Sequence, residues 1–600
     1  MSRVAAPLLL AAATTLGLVL RWPLAQFDVE HYVGPDEGEV VENVLEMMKT
    51  GYYHQRHPGY PGLHFYIQMV PASVYVWLER PRTVRDLPRA DFYRLARRVT
   101  FVAGGLAAWV VYLVGCRALG DGCRLASAVG ASALVLSPLV FRVSTVVSPD
   151  VMLMLFGAVA TGLILRALDT GSRARFLWAG AALGLATAIK YTGALLVVPY
   201  GVACALSRAN VSRFRLTVFG FVAAALAFCL TSPYTLLDAG TTWEGLRTHV
   251  EYYRASESQA ALALAHFAFV DGLGVPAMLA FAVGVFGVLT RRERWGWVVL
   301  SFPLSYVLLF SVFGRAYPRH AVAILPAVAL LAARGIVPLL SRSRPWAAAV
   351  AALMLAQPLI DSIRLGISVR KPTPAARSQS WIRENLPRGS RILEDQFTPS
   401  FEASPFSVHR LAVEESVFVG NYDFVLHSGY PGGLPLAGLR LVRTFEPEGS
   451  LGARIRLYQV PSREALMPVT LAAGAAAGEI VATETAPFGA GWDPEAGGVR
   501  LSRGPVSEIF FNVEAPESVS LTLNVGAAVE RVSLSVGLGD QIVGTIRIEG
   551  QAPQPSTITL PRGVIQSGLN RLVLRYDETF RVSRRLRDGA VRFYSMRLDR

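Results

Sequence analysis

An acid-rich polar stretch near the start of the sequence holds the strongest candidates for chemistry. Residues 34–64 read GPDEGEVVENVLEMMKTGYYHQRHPGYPGLH, between two apolar segments. Asp36 and Glu37 open this stretch, and His57 lies towards its end. Ionisable residues beside membrane segments are candidates for function, because burying them without a partner is costly. A carboxylate in such a place can act as general base towards a hydroxyl group.

The same stretch carries the pattern of a short helix. Pro35 suits a first helical turn, where the two acids meet the positive end of the helix dipole. Apolar residues recur at helical spacing through residues 40–48, and Gly51 can end the helix. We expect an amphipathic helix on the membrane surface. In the simpler alternative, Asp36 and Glu37 only cap this helix.

The composition indicates a membrane protein. Of the 600 residues, 52% are hydrophobic, and the mean hydropathy is +0.39. The apolar runs fall before about residue 362 and reach roughly 18 to 22 residues, the length of a membrane-spanning helix. We predict a multi-pass α-helical protein with about eleven spans. They are approximately Val4–Leu20, Leu95–Cys116, Leu125–Val143, Val151–Leu168, Phe176–Ile189, Gly193–Leu206, Leu216–Thr231, Gly272–Leu289, Gly296–Phe313, Ala321–Leu340 and Trp346–Ile360.

The positive charges predict the orientation in the membrane. The formal net charge is +14, and many arginines lie in short loops between spans. This distribution is typical of cytoplasmic loops and does not point to a nucleic-acid partner. The short segment Leu63–Leu78 is read as a juxtamembrane or re-entrant segment that does not span the membrane, and the arginine-rich loop behind it is the exception to the pattern. We therefore predict a cell (inner) membrane protein whose C-terminal domains are periplasmic or extracellular.

Further ionisable residues are predicted to share the outer face with the acidic stretch. Asp150 is an acid at a span end, and Tyr191 follows Lys190 at another span end. The cationic or basic candidates at span ends are Lys190, Arg315, Arg319 and His320. Each has a simpler interpretation: Asp150 can cap the next helix, and the bases can anchor helices at the interface.

Acids and cations on one face suit one reaction in particular. A sugar linked to a lipid phosphate has a good leaving group, so it needs cations for the phosphate and a general base for the incoming hydroxyl. Direct displacement would invert the anomeric centre.

The membrane half resembles the GT-C superfamily of glycosyltransferases that use polyprenyl-phosphate sugars. It is most similar to the protein O-mannosyltransferase and aminoarabinose-transferase branch, known as glycosyltransferase families 39 and 83. The motifs that carry the resemblance are Gly34-Pro35-Asp36-Glu37, His57-Pro58-Gly59-Tyr60-Pro61, Ser148-Pro149-Asp150, Ala188-Ile189-Lys190-Tyr191-Thr192 and Arg319-His320.

The resemblance implies roles for individual residues. It implies Asp36 as catalytic base with Glu37 beside it, Lys190 and Arg319 near the lipid phosphate, and Asp150 in the pocket. The usual His-Pro-Pro pattern reads His57-Pro58-Gly59 here. No cofactor is assigned, and the lipid-linked sugar is the donor substrate. A divalent cation next to Asp36 stays open, although no ligand set demands one and no metal-binding residue is assigned.

The C-terminal part has a different composition. We predict a membrane domain over residues 1–364, a small extracytoplasmic α/β subdomain over 365–461 and a β-sandwich over 462–600. Short alternating strands without helices between them favour the sandwich. It resembles carbohydrate-binding modules, so sugar binding and a structural cap over the active-site face both stay open. No cysteine follows Cys229, so this part is stabilised without disulfides.

Two functions are therefore weighed. The first is an inverting glycosyltransferase that moves a sugar from a polyprenyl-phosphate carrier to an extracytoplasmic protein, lipid or polysaccharide. The alternative is a glycolipid flippase or transporter with an exported sugar-binding domain. Transporters usually place charges at the bilayer midplane, whereas the charges here lie at span ends, which favours the enzyme. The predicted partners are the lipid-linked sugar, the acceptor and membrane lipids.

Overall fold

The computed structural model divides the chain into two compact units, Met1–Lys371 and Pro372–Arg600. The structure describes residues 2–25, 35–54, 59–80, 84, 87–208, 212–254, 260–314, 316–395, 398–399, 405–411, 419, 422–429, 436, 439–448, 452–461, 470–471, 477–481, 488, 492, 499–502, 506–514, 518–527, 531–539, 541–576, 580–583, 586–589 and 591–599.

The first unit is helical. Its helices are α1 Ser2–Ala25, α2 Pro35–Thr50, α3 Gly62–Glu79, α4 Arg89–Leu119, α5 Arg124–Leu136, α6 Pro138–Ser144, α7 Pro149–Thr170, α8 Arg173–Ile189, α9 Val197–Leu206, α10 Arg213–Thr231, α11 Tyr234–Leu237, α12 Ala239–Arg254, α13 Ala260–Ala268, α14 Val275–Arg291, α15 Arg294–Val312, α16 Pro318–Ala321, α17 Leu325–Arg342 and α18 Arg344–Ser368.

The helices confirm a multi-pass membrane protein but not the number of spans. Within the described ranges, seven helices are long and apolar enough to cross a membrane, or up to nine if two bent pairs each form one span. Two predicted spans differ from this set: α8 has 17 residues, and α9 has 10 after a short 3₁₀ segment. Both are shorter than the roughly 20 residues that span the hydrocarbon core.

A proline breaks one predicted span into two helices. Helices α5 and α6 are bent by 52° relative to each other. The break falls at Ser137, because the residue before a proline disfavours helical geometry. The Ser137 hydroxyl then caps α6 by accepting a hydrogen bond from the Val140 N–H at 3.3 Å. The bend leads the chain towards the start of α7.

Glycines set the closest helix contacts in the first unit. A side chain at Gly180 or Gly184 of α8 would collide with the backbone of α10. A side chain at Gly284 of α14 would collide with the Leu331 carbonyl of α17, and one at Gly335 of α17 with the Ala280 carbonyl. Small residues at such crossings let helix backbones approach closely in membranes.

Helices α2 and α3 share a smaller core beside the main bundle. Val40, Val41 and Val44 of α2 pack with Phe65 of α3 and Phe92 of α4. The predicted helical spacing of apolar residues in α2 is therefore its buried face. This packing holds the acidic start of α2 against α4.

The second unit begins with α19 (Pro374–Asn385) and a mixed sheet. Its strands are β1 Arg391–Glu394, β2 Ser407–Arg410, β3 Phe424–His427, β4 Arg440–Phe445 and β5 Ile455–Gln459, in the spatial order β2-β1-β3-β5-β4. Strand β1 is parallel to both neighbours, whereas β5 is antiparallel to β3 and β4.

The rest of this unit is a β-sandwich, as its alternating pattern predicts. Its strands are β6 Thr470–Leu471, β7 Ala477–Val481, β8 Arg500–Leu501, β9 Val506–Val513, β10 Val519–Ala527, β11 Arg531–Leu538, β12 Gln541–Glu549, β13 Gln554–Leu560, β14 Gly568–Tyr576, β15 Phe580–Ser583, β16 Leu586–Gly589 and β17 Val591–Asp599. One sheet runs β13-β10-β17-β7 with β8 paired to β17, and the other runs β12-β11-β14-β9-β6.

Trp492 lies in the core between these sheets. It is fully buried, and its indole N–H donates to the Glu508 carbonyl at 2.8 Å. Its ring contacts Phe488 and Phe593 edge to face. A buried ring cannot stack on a sugar from solvent, so Trp492 acts in packing.

Candidate active site

The predicted acid pair lies at the start of α2. Asp36 is in the first turn of this helix, and its side chain lies outside the described part of the structure. Glu37 is buried against Arg97 of α4, and both side chains are only 1% exposed. The two carboxylate oxygens accept from Nε and Nη2 of Arg97, each at 2.7 Å.

A third hydrogen bond ties Glu37 to the chain before α7. Glu37 Oε1 accepts from the Val147 N–H at 2.8 Å. Bidentate, charge-assisted pairs of this kind are strong and fix geometry. Glu37 therefore joins the start of α2 to α4 and to a backbone position three residues before Asp150.

Asp150 and Lys190 form a second buried ion pair. Asp150 is in the first turn of α7, and its N–H donates to Ser148 Oγ at 3.2 Å. Lys190 follows the last residue of α8, and its Nζ lies 2.7 Å from Asp150 Oδ1. Asp150 Oδ2 is buried and has no hydrogen-bond partner among the described residues. Lys190 Nζ also lies 5.9 Å from the centre of the Tyr60 ring.

A glycine shapes the turn behind Lys190. The Gly193 N–H donates to the Lys190 carbonyl at 2.8 Å. A side chain at Gly193 would collide with the Ala186 backbone of α8. This close return presents Lys190 at the end of α8, with Tyr191 opening the half-buried 3₁₀ segment Tyr191–Leu196.

His320 brings the predicted cations into one neighbourhood. Lys190 and Arg319 both lie within electrostatic range of its imidazole. His320 Nδ1 accepts from the Tyr317 N–H at 3.2 Å, and its Nε2 lies 3.3 Å from the Tyr253 hydroxyl. The half-buried Arg319 guanidinium lies 5.1 Å from the centre of the Tyr317 ring. Asp150, Lys190, Arg319 and His320 therefore belong to one cluster.

The structure does not describe two of the predicted residues. His57 and Arg315 lie outside the described residues. Within the described ranges, no three His, Cys, Asp or Glu side chains come together as metal ligands. A divalent cation at Asp36 stays a prediction.

Several polar residues of the cluster were not predicted from sequence. Tyr306 of α15 is buried, interacts electrostatically with Asp150 and faces the Thr192 hydroxyl. Neither hydroxyl has a partner with good hydrogen-bond geometry among the described residues. His64 of α3 lies close enough to Lys190 for its charge to act on the imidazole. The signal in the sequence was weak, because each of these residues lies within or beside an apolar run.

An open cavity of about 880 Å³ lies between α2 and α12. Acidic side chains dominate its lining: Glu39, Glu42 and Glu46 of α2 and Glu244 of α12. His249 closes one side, and a side chain at Gly59 would touch both it and Glu39. The cavity therefore adjoins the helix that carries Asp36.

Comparison with known proteins agrees with this architecture. Residues 94–236 match a family described as dolichyl-phosphate-mannose-protein mannosyltransferase. No curated protein sequence matches the chain.

Solved structures are similar in fold at low sequence identity. The structure of ArnT from Cupriavidus metallidurans bound to undecaprenyl phosphate aligns with a TM-score of 0.50 and 16% identity, over 75% of this chain and 97% of that one. Archaeal oligosaccharyltransferase AglB from Archaeoglobus fulgidus, in complex with an inhibitory peptide and a dolichol-phosphate, aligns with a TM-score of 0.48 and 9% identity, over 96% of each chain. The similarity to ArnT shows a shared fold, and the family match over residues 94–236 agrees with the GT-C resemblance predicted from the motifs.

Proposed function

We propose that the protein is an inverting glycosyltransferase that moves a sugar from a polyprenyl-phosphate carrier to an extracytoplasmic acceptor. The observation that carries this proposal is the link between two sites. Glu37 ties the helix that bears Asp36 to the backbone just before Asp150, which holds Lys190. A candidate base and a candidate phosphate-binding cation therefore lie at the same end of the unit.

The proposed reaction is a single displacement. The acceptor hydroxyl attacks the anomeric carbon and forms the new glycosidic bond. The bond between that carbon and the phosphate oxygen breaks, and the lipid phosphate leaves with the electron pair. Asp36 takes the proton of the hydroxyl. A general base of this kind contributes about 10²- to 10⁴-fold to the rate.

Lys190 is the proposed ligand of the leaving phosphate. An ammonium group has three N–H donors, and its bond to Asp150 Oδ1 uses one of them. Asp150 fixes the position of Lys190, and Arg319 adds a second positive charge within electrostatic range of His320. Fixed charges aimed at a leaving group lower the barrier because they need no reorganisation.

Glu37 is a positioning residue in this proposal. Its two oxygens already accept three hydrogen bonds from Arg97 and Val147. Proton transfer to Glu37 would weaken or break these three hydrogen bonds. Its neighbour Asp36 is thereby held at the beginning of α2.

The acidic cavity beside α2 is the proposed entrance for the acceptor. Its carboxylates repel anions, so an uncharged or cationic hydroxyl-bearing acceptor suits it better than an acidic polysaccharide. The donor lipid reaches the cluster from the membrane side.

Transfer can be tested with purified protein in detergent and labelled polyprenyl-phosphate sugars. The wild type should transfer sugar, and Asp36→Asn should lower turnover at least about 100-fold. Asp169→Asn is a matched control, because Asp169 pairs with Arg117 near the opposite end of α7. Unchanged turnover of Asp36→Asn would exclude its role as base. A flippase would move intact lipid across vesicles and transfer no sugar.

The extracytoplasmic position of the second unit is part of the proposal. All four cysteines lie before residue 230, so a variant lacking them can carry one new cysteine at the exposed Thr559. A membrane-impermeant maleimide should label Thr559→Cys in intact cells. Labelling only after lysis would place this unit in the cytoplasm.

A further inference from the structure

Two buried polar side chains on α3 have no hydrogen-bond partner among the described residues. His64 is 0% exposed and Gln68 is 2% exposed. Both imidazole nitrogens and both amide atoms lack a partner among the described residues. The two residues are four positions apart, so they lie on one face of the helix. We call them the α3 pair.

Without hydrogen-bond partners, the α3 pair lowers the stability of the folded protein. Buried polar groups in proteins are nearly always hydrogen-bonded. Each buried group left unsatisfied costs about 1–3 kcal/mol. Apolar residues of similar size would therefore make the unoccupied protein more stable. Their presence indicates a partner that arrives from outside the chain.

The position of the pair identifies the site. Helix α3 contacts helix α8, which ends directly before Lys190, and the Lys190 ammonium acts electrostatically on the His64 imidazole. Tyr60, which precedes α3, also faces this ammonium. The α3 pair therefore extends the Lys190 cluster along one helix.

The chemistry of the pair distinguishes a sugar from a phosphate. Burial, with a smaller contribution from Lys190, lowers the pKa of His64 to about 3, so the imidazole is neutral at physiological pH. A neutral imidazole and an amide each offer both donors and acceptors. Hydroxyl groups need this combination, whereas an anionic phosphate prefers the nearby cations.

We propose that His64 and Gln68 bind hydroxyl groups of the sugar on the lipid-linked donor. This inference rests on the proposed glycosyl transfer and assigns the sugar end of the donor to α3. The phosphate end then lies on Lys190 and Arg319.

Stability and binding measured on the same variants test the proposal. We would compare Gln68→Met, His64→Leu and His64→Asn, with Ser132→Ala as control because Ser132 is also buried with an unpaired hydroxyl in the described structure. The ligands are undecaprenyl phosphate and its mannose-, glucose- and arabinose-linked forms. The readouts are the melting temperature and the KM for the transferred sugar lipid.

We expect a specific pattern. Gln68→Met and His64→Leu should melt at or above the wild-type temperature without ligand. They should keep the stabilisation by undecaprenyl phosphate, lose the extra stabilisation by the sugar, and raise KM about fivefold to tenfold. His64→Asn retains a hydrogen-bond donor and an acceptor, so it should lose less of the stabilisation by the sugar and raise KM less. Ser132→Ala should bind all lipids like the wild type.

Other results would overturn the inference. A lower melting temperature of both apolar variants with an unchanged KM would make the pair structural. Equal stabilisation by sugar lipids in Gln68→Met, His64→Leu and wild type would exclude contact with the sugar. A wild type that transfers none of these sugars contradicts the proposed function itself.

Discussion

The two buried ion pairs of the membrane unit differ in how far their hydrogen-bonding groups are satisfied within the described structure. Glu37 and Arg97 satisfy each other with two parallel hydrogen bonds, and Val147 adds a third. Asp150 and Lys190 share one bond, and Asp150 Oδ2 has no partner in the described structure. We call Glu37–Arg97 the closed pair and Asp150–Lys190 the open pair, and in the proposed function the open pair binds the donor phosphate.

Residue type alone therefore does not determine what a buried ion pair does. Both pairs join an acid to a base at the start of a helix. The closed pair holds three segments together, and the open pair presents charge. Which one contributes to stability and which to transfer can therefore be measured by removing one cation at a time.

The largest effect is expected from opening the closed pair. Arg97→Met leaves Glu37 buried without its cation, which should lower the free energy of unfolding by about 3–5 kcal/mol. Thermal melting in detergent measures this loss. Arg89→Met is the control, because Arg89 pairs with Glu42 at the surface and should cost no more than about 1 kcal/mol. Equal melting of both variants would contradict the closed-pair description.

Removing the cation of the Asp150–Lys190 pair should lower activity more than stability. Lys190→Met should lower turnover about 100-fold, as loss of a charge-stabilising donor does in other enzymes. Its melting temperature should fall less than that of Arg97→Met, because the change removes one hydrogen bond to Asp150, whereas Arg97→Met removes two to Glu37. Lys49→Met, at the exposed end of α2, is the control. A variant at Lys190 with full turnover would remove the proposed phosphate ligand.

Glu37→Gln distinguishes positioning from acid–base catalysis. If Asp36 is the base, the variant should lose roughly tenfold in turnover while the acidic limb of its kcat/KM–pH profile stays in place. The pH profile is the decisive measurement. Disappearance of that limb, with melting unchanged, would make Glu37 the base.

The smallest effect concerns acid stability. The folded pKa of His64 is about 3, below the ordinary value of about 6.5. The unfolded chain therefore takes up this proton first, so the stability present above about pH 6.5 is lost as pH falls towards 3. Melting between pH 7.5 and 4.5 should fall less in His64→Leu than in wild type. Identical slopes would mean that His64 is not buried in its neutral form.

Sequence reasoning identified much of this arrangement because the motifs are local. Pro35 and the apolar spacing behind it predicted α2, and Ser148-Pro149-Asp150 predicted the start of α7. The β-sandwich followed from alternating strands, although short strands such as β6 and β8 were missed because two residues carry no pattern.

Arg97 shows what sequence could not supply. It lies 60 residues from Glu37, in an arginine-rich segment whose other described arginines are exposed or half-buried. Only the fold determines which arginine turns inward. His64 and Gln68 were hidden similarly, because one helix face becomes distinctive only when its burial and lack of partners are known.

The glycine crossings imply sensitivity to mutation far from the chemistry. Helix α17 follows directly from Arg319 and His320, and it touches α14 through Gly284 and Gly335. One added methyl group at either glycine would push α14 and α17 apart. The shift would tilt the N-terminal end of α17, next to Arg319 and His320. Loss of transfer would therefore follow from substitutions at these helix-contact glycines as readily as from substitutions at the charged residues.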